Sequence, residues 1–171
     1  MEFRDLTKDD IEVRVQSVKE KGVVLLLYKD ARVDMNILDE TVGAENWQRE
    51  HYECKKNLFC RVGIKIENDW VWKSDCGTES NTEAQKGEAS DSFKRACFNW
   101  GIGRELYTSP FIWVNASDCK ITQGGNKVFK CYDNFSVEKI KIEKKRIVGL
   151  AIYNQSMKKR CFVWTEGQKY A

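Results

Sequence analysis

The segment ASDSFKRACFNWGIG, residues 89–103, constrains the fold most because it carries a helical apolar stripe that ends at glycine. At about 100° per residue, four apolar side chains fall within one arc of about 100°. They are Phe93, Ala96, Cys97 and Trp100. A stripe of this width is typical of a helix that packs one face on a sheet. The pattern predicts a long helix that begins at Thr82 or Glu83 and ends at Gly101.

Two adjacent cations, Lys94 and Arg95, lie away from this apolar stripe. The helical spacing directs them outward and places Asp91 one turn before Arg95, where a salt bridge can form. A solvated helix face explains such a pair adequately. An aromatic residue, Phe98, lies between the cations one turn later, and it favours a face that meets a neighbouring subunit or stacked bases.

Most of the remaining chain favours short β-strands, because apolar and β-branched residues alternate between turn-like segments. The predicted strands cover residues 11–18, 23–28, 47–53, 58–67, 70–76, 111–114, 127–132, 135–142, 146–153 and 160–164. A shorter amphipathic helix is predicted over 31–43, with Gly43 as its C-terminal cap. We therefore expect an α+β fold in which an antiparallel β-meander packs on a long central helix, followed by further C-terminal strands.

The length of 171 residues predicts a single domain, with its most natural seam near residues 104–118. The longest apolar run, residues 23–28, is too short to span a bilayer. The first residues lack the apolar segment of a secretory signal. We expect an intracellular protein.

The cysteine and histidine pattern argues against a zinc site and against a nucleophilic enzyme. The chain has seven cysteines, an odd number without a C-x-x-C pair, and His51 is its only histidine. Reduced cysteines that fill gaps in the core are the preferred interpretation. His51 is expected at the surface or at a strand edge.

The charge is distributed unevenly along the chain. Residues 1–118 contain 17 Lys and Arg against 22 Asp and Glu, whereas residues 119–171 contain 12 against 4. A lysine-rich sheet with one solvated face would account for this distribution. The C-terminal excess nevertheless favours a polyanionic partner, because phosphate contacts depend on such charge.

One family resemblance covers residues 30–107. The run KGEASDSFKRACFNWG, residues 86–101, followed by IGRELY, resembles the signature helix of the Rad52 superfamily of single-strand annealing proteins, especially its phage Sak-like members. The run DARVDMNILDETVGAENW, residues 30–47, resembles the preceding helix of that family. Residues 70–77 resemble the strand before the long helix.

The resemblance implies a protein that binds and anneals complementary single-stranded DNA without ATP, in homologous recombination and DNA repair. It implies a homo-oligomeric ring or arc, no cofactor, no metal and no catalytic site. The implied partners are single-stranded DNA, the annealed duplex intermediate, an exonuclease and a single-strand-binding protein. A phage-encoded member would act in the host cytoplasm.

The resemblance also implies a set of DNA-binding residues. By this resemblance Lys94 and Arg95 line the inner DNA groove, and Arg32 lies at or beside another basic position of that groove. Lys86 matches a further basic position of the same helix as Lys94. Lys55 and Lys56, in a predicted hairpin, loosely resemble a secondary DNA contact. This chain departs from the family at Phe98, where some members carry a further arginine.

Two other functions remain open at this point. Glu53-Cys-Lys55 has the E-x-K spacing of some metal-dependent nucleases, and Asp34 and Asp39 lie upstream, although solvation explains these carboxylates adequately. The chain could also be an interaction scaffold whose charged sheet binds acidic proteins and no DNA.

Overall fold

The computed structural model describes residues 1–78, 84–125 and 128–167, without the side chains of 84–86. Within these residues the chain forms two α-helices and antiparallel sheets, which confirms the mixed α+β class. In chain order the elements are β1 (Glu12–Lys19), β2 (Gly22–Tyr28), α1 (Ala31–Val42), β3 (Trp47–Cys54), β4 (Asn57–Ile66), β5 (Asp69–Cys76), α2 (Ala84–Trp100), β6 (Ile112–Asn115), β7 (Ile121–Gln123), β8 (Phe129–Cys131), β9 (Phe135–Glu143), β10 (Arg146–Asn154) and β11 (Lys159–Thr165).

The chain divides into two compact units. Unit 1 comprises Met1–Asp5 and Asp30–Arg104, and unit 2 comprises Leu6–Lys29 and Glu105–Ala171. The chain passes from unit 1 to unit 2 for the last time between Arg104 and Glu105, at the beginning of the predicted seam at 104–118. A single domain over the whole chain stays a prediction. None of the described helices has the length and apolar character needed to cross a membrane.

Unit 1 contains the predicted meander, a three-stranded antiparallel sheet in the order β3-β4-β5. Helix α2 packs on β4 and β5. Its predicted stripe is confirmed, because Phe93, Ala96 and Cys97 have no exposed surface. Trp100 is half-buried, and its indole N–H donates to the Val62 carbonyl at 2.9 Å. The predicted N-terminal start at 82 or 83 lies outside the described residues.

Close backbone contact fixes α2 on the meander. A Cβ atom at Gly77, just after β5, would lie 2.2 Å from the Glu88 carbonyl oxygen and 2.8 Å from the Ser92 nitrogen. The backbone N–H of Leu58, on β4, donates to the Glu88 carboxylate at 3.0 Å. The first turns of α2 are therefore held against the ends of two strands.

Helix α1 has the predicted end. Gly43 adopts φ 86°, and its N–H donates to the Asp39 carbonyl at 3.0 Å. This left-handed backbone conformation favours glycine. Ile37 and Leu38 are fully buried, as their position on one helical face predicts.

Unit 2 contains a six-stranded antiparallel sheet in the order β11-β10-β9-β1-β2-β6 and a small β7-β8 hairpin. Its buried apolar residues include Val23, Leu25, Leu27, Ile112, Val114, Val137, Ile147, Leu150 and Ile152. Strand β7 was not predicted, because three residues are too few to show alternation. The predicted strand over 127–132 is shorter, Phe129–Cys131, and residue 127 lies outside the described part.

Candidate functional site

Cations from both helices of unit 1 act on one carboxylate, that of Asp30. Asp30 caps α1: its Oδ1 atom accepts from the Arg32 backbone N–H at 2.8 Å and from Arg32 Nε at 3.0 Å. The side-chain hydrogen bond from Arg32 is the main reason that the pKa of Asp30 lies below its ordinary value, and the Lys94 charge lowers the pKa further. Arg32 and Lys94, both predicted to bind DNA, thus act electrostatically on the same group.

Arg95 has a different neighbour. Its Nε lies 3.5 Å from the Oδ1 atom of Asp75 on β5, and its side chain is 42% exposed. Asp91 accepts from the backbone N–H of Thr78 at 3.0 Å. Lys94 and Arg95 are both half-buried rather than fully outward. Arg95 lies near an acidic residue of β5, and the charge of Lys94 acts on the acidic residue that caps α1.

The remaining predicted contacts lie toward the N-terminal part of α2. Lys86 belongs to this helix, and its side chain is outside the described part. Lys55 and Lys56 form the two-residue turn between β3 and β4, both exposed, immediately before the strand that bonds to Glu88. Lys94 follows Glu88 by six positions, about 9 Å along a helix.

The C-terminal end of α2 carries a cation that the sequence patterns did not indicate. Arg104 donates to the carbonyl oxygens of Phe98 at 2.8 Å and Asn99 at 3.1 Å, and its guanidinium lies 5.5 Å from the centre of the Phe98 ring. Lys73, on β5, also donates to the Asn99 carbonyl, at 3.0 Å. Cations at this end are favourable because helix carbonyls there lack intrahelical partners. The sequence signal that could have indicated this cation is a basic residue shortly after Gly101, where the helix ends.

The carboxylates of the alternative nuclease hypothesis do not converge in the described part of the chain. Asp39 accepts from the Trp47 indole N–H at 2.6 Å, and Glu53 is exposed on β3. Asp34 is fully buried, so its prediction as a solvated carboxylate was wrong. The helix turns Asp34 toward the interior because it precedes Ile37 and Leu38 by one turn. No described group of three or more acidic, cysteine or histidine side chains could hold a metal ion.

The cysteines are free thiols. Cys60, Cys97 and Cys119 are buried, as predicted, whereas Cys54 is exposed, so the prediction was wrong for that residue. Burial raises the pKa of Cys60 to about 11. His51 is exposed on the edge strand β3, as predicted, with Nε2 3.1 Å from the Ala89 carbonyl oxygen.

The formal charge differs between the two units. Unit 1 contains 12 Lys and Arg against 16 Asp and Glu, whereas unit 2 contains 17 against 10. The cations of α1 and α2 therefore lie within an acidic unit, and the basic excess of the chain belongs to unit 2.

Comparison with known proteins gives one family and one curated relative. The model of the Rad52/22 family double-strand break repair protein matches residues 3–124. The single-stranded DNA-binding protein DdrA of Deinococcus radiodurans is 31% identical over 99 residues, which is 57% of this chain and 47% of that protein. The chain thus spans about half the length of this relative. No solved structure matches the chain.

Proposed function

Because the chain belongs to the Rad52/22 family of double-strand break repair proteins, we propose that it binds single-stranded DNA and anneals complementary strands without ATP. Its role is in homologous recombination and repair, as part of a ring or arc of identical subunits. A phage origin stays a prediction, since the matched relative is bacterial.

The observation that carries the proposal is that two cations from different helices, Arg32 and Lys94, act on the same carboxylate of Asp30, while the Arg32 side chain stays 82% exposed. An exposed guanidinium at this position can neutralise a DNA phosphate, because backbone binding depends on neutralising phosphates with Lys and Arg. Backbone contacts leave the base edges free, and annealing requires free base edges.

The relative DdrA is a single-stranded DNA-binding protein, which supports single-stranded DNA as the ligand of the matched 57% of this chain. Annealing, oligomer formation, and a partner exonuclease and single-strand-binding protein are parts of the proposal. Oligomer formation would raise affinity, because each subunit adds weak contacts along one strand. The proposal assigns no catalytic step and no cofactor to this chain.

A strand-annealing assay tests the proposal. Two complementary labelled oligonucleotides are mixed with the protein without nucleotide or metal, and duplex formation is followed by energy transfer. We expect annealing faster than the spontaneous rate, and binding that falls by roughly 0.7 log units per tenfold salt for each neutralised phosphate. Binding that does not respond to salt would contradict the proposal and favour the interaction scaffold.

Electron microscopy with and without single-stranded DNA tests the assembly. Rings or arcs of repeated subunits are expected. Monomers under conditions of active annealing would contradict the assembly while leaving DNA binding intact.

A further inference from the structure

Lysine occupies an unusual share of the left-handed backbone positions in this chain. Among the described residues, six other than glycine have positive φ, and five of them are lysines. These are Lys55, Lys56, Lys144, Lys145 and Lys158. A Cβ atom makes this conformation unfavourable, so glycine and asparagine are the usual occupants.

The clearest instance in unit 2 is the turn between β9 and β10. Glu143 pairs with Arg146, so the hairpin closes through the two residues Lys144 and Lys145. Their φ angles are 50° and 61°, as a type I′ turn requires. Asn-Gly is the sequence that such a turn favours.

The same chain closes another hairpin of this length differently. The β1–β2 turn, Glu20-Lys21, joins the paired residues Lys19 and Gly22 and has no positive φ. The left-handed turn at β9–β10 thus keeps two lysines against the local backbone preference. Strain of this kind is a reason to seek a function at the strained residues.

The surroundings of this turn are cationic. Lys144 is exposed, and Lys139 and Lys141 are exposed on the adjoining strand β9. Two neighbouring cations have acidic partners: Lys141 lies 2.7 Å from Glu143, and Arg146 lies 2.8 Å from Glu166. Unit 2 as a whole has 17 basic residues against 10 acidic ones.

We propose that the Lys144–Lys145 turn binds the phosphodiester backbone of DNA, in addition to the cations of unit 1. The inference rests on the proposed function, since it names a second contact for the same ligand. Lys144 is exposed in this turn and Lys145 is half-buried beside it. Each ammonium group is a compact charge with three donors suited to phosphate. Single strands and the annealed duplex carry the same phosphates, so both are candidate ligands.

The test compares three double variants of the full chain. In K144N/K145G the turn gains its preferred sequence and loses both charges. In K144R/K145R the charges and the unfavourable φ are kept. In K19A/K21A two exposed charges are removed from the β1–β2 turn of the same unit.

Each variant is titrated with a labelled oligonucleotide and with its duplex at several salt concentrations, and its melting temperature is measured. We expect K144N/K145G to melt about 2–4 °C higher than the wild type. The slope of its log binding constant against log salt concentration should also become shallower by roughly 1.4 for the single strand, or by roughly 1.8 for the duplex. K144R/K145R should bind and melt like the wild type.

The DNA whose salt slope changes, the single strand or the duplex, is the ligand of the turn. Unchanged slopes for K144N/K145G on both DNAs, beside normal wild-type binding, overturn the inference and leave the proposed function intact. An equal loss in K19A/K21A also overturns it, because net charge rather than the turn would then explain the effect. A wild type that binds neither DNA contradicts the proposed function and this inference together.

Discussion

The Nε atom of Arg95, on α2, lies 3.5 Å from the Oδ1 atom of Asp75, on β5. Asp75 is held in place by its own Oδ1, which accepts from the Cys76 backbone N–H at 2.8 Å. One of the two adjacent cations of α2 is thus partly compensated by the sheet on which the helix packs. DNA phosphates would have to compete with this carboxylate.

Asp75→Asn should tighten binding of single-stranded DNA. The amide keeps the size of the side chain and an acceptor oxygen for Cys76, but it removes the charge that competes for Arg95. Exposed ion pairs contribute about 0.2–1 kcal/mol, so we expect binding up to about fivefold tighter. Fluorescence anisotropy at constant salt measures the change.

Glu50→Gln is the matched control for this prediction. Glu50 accepts from Arg61 Nε at 2.9 Å on the meander, so its loss changes net charge equally without affecting Arg95. If both variants tighten binding by the same factor, the effect arises from net charge and the role of Asp75 is refuted.

The double variant K94A/R95A should abolish annealing and leave the fold intact. Both side chains lie away from the buried stripe of Phe93 and Ala96, so no core volume is lost. The single-strand salt slope should fall by roughly 1.4 if each cation neutralises one phosphate. Annealing by energy transfer and a thermal melt by circular dichroism report the two properties separately.

Lys65→Ala provides the comparison for the α2 cations. Lys65 is exposed on β4 in the same unit, and its loss should leave annealing near the wild-type rate. Normal annealing by K94A/R95A would contradict the site, and unfolding of that variant would instead make these cations structural.

Gly77→Ala should weaken the attachment of α2. The added Cβ would lie 2.2 Å from the Glu88 carbonyl oxygen, a backbone atom that moves only with the helix. We expect a loss of about 1–3 kcal/mol in the free energy of unfolding, as for other overpacked sites. Urea unfolding measures it, and Gly125→Ala, whose Cβ meets no atom within 4 Å, should show little loss.

The carboxylate of Asp30 should contribute stability that depends on pH. Its pKa is lowered from 3.8, mainly by the Arg32 hydrogen bond, so the unfolded chain binds this proton more readily than the folded one. The contribution is therefore complete above about pH 5 and disappears as the pH falls through the lowered folded pKa.

Asp30→Asn isolates this contribution, because asparagine is an equally good N-terminal cap. The stability difference between wild type and variant should be constant from pH 7 to about pH 5 and shrink below it. Urea unfolding at successive pH values measures this difference. A difference that grows on acidification would show that the pKa of Asp30 is raised instead.

Local patterns in the sequence predicted the elements well. The stripe through Phe93 and Ala96 identified the buried face of α2, and alternation located the meander. These features depend on residues a few positions apart, which sequence spacing records directly. The position of Gly43 likewise identified the end of α1.

Features that depend on distant residues were not predictable. The carboxylate next to Arg95 comes from Asp75, on another element, whereas spacing offered only Asp91. The left-handed turns had no glycine to indicate them, because Lys55 and Lys144 occupy positions where glycine or asparagine is usual. The burial of Asp34 depends on how α1 packs, which its own polar character does not reveal.

The insertion of most of unit 1 between β2 and β6 of unit 2 affects the order of folding. Strand β1 pairs with β2 nearby, but its other edge pairs with β9, where Glu12 is opposite Ser136. On the ribosome, the β1–β2 hairpin is synthesised before residues 30–104 and must wait for more than a hundred residues before both edges are covered. Residues 30–104 can fold during that interval. The nascent chain thus exposes an unpaired edge of β1, which is a site for association with other chains, until β9 has been synthesised.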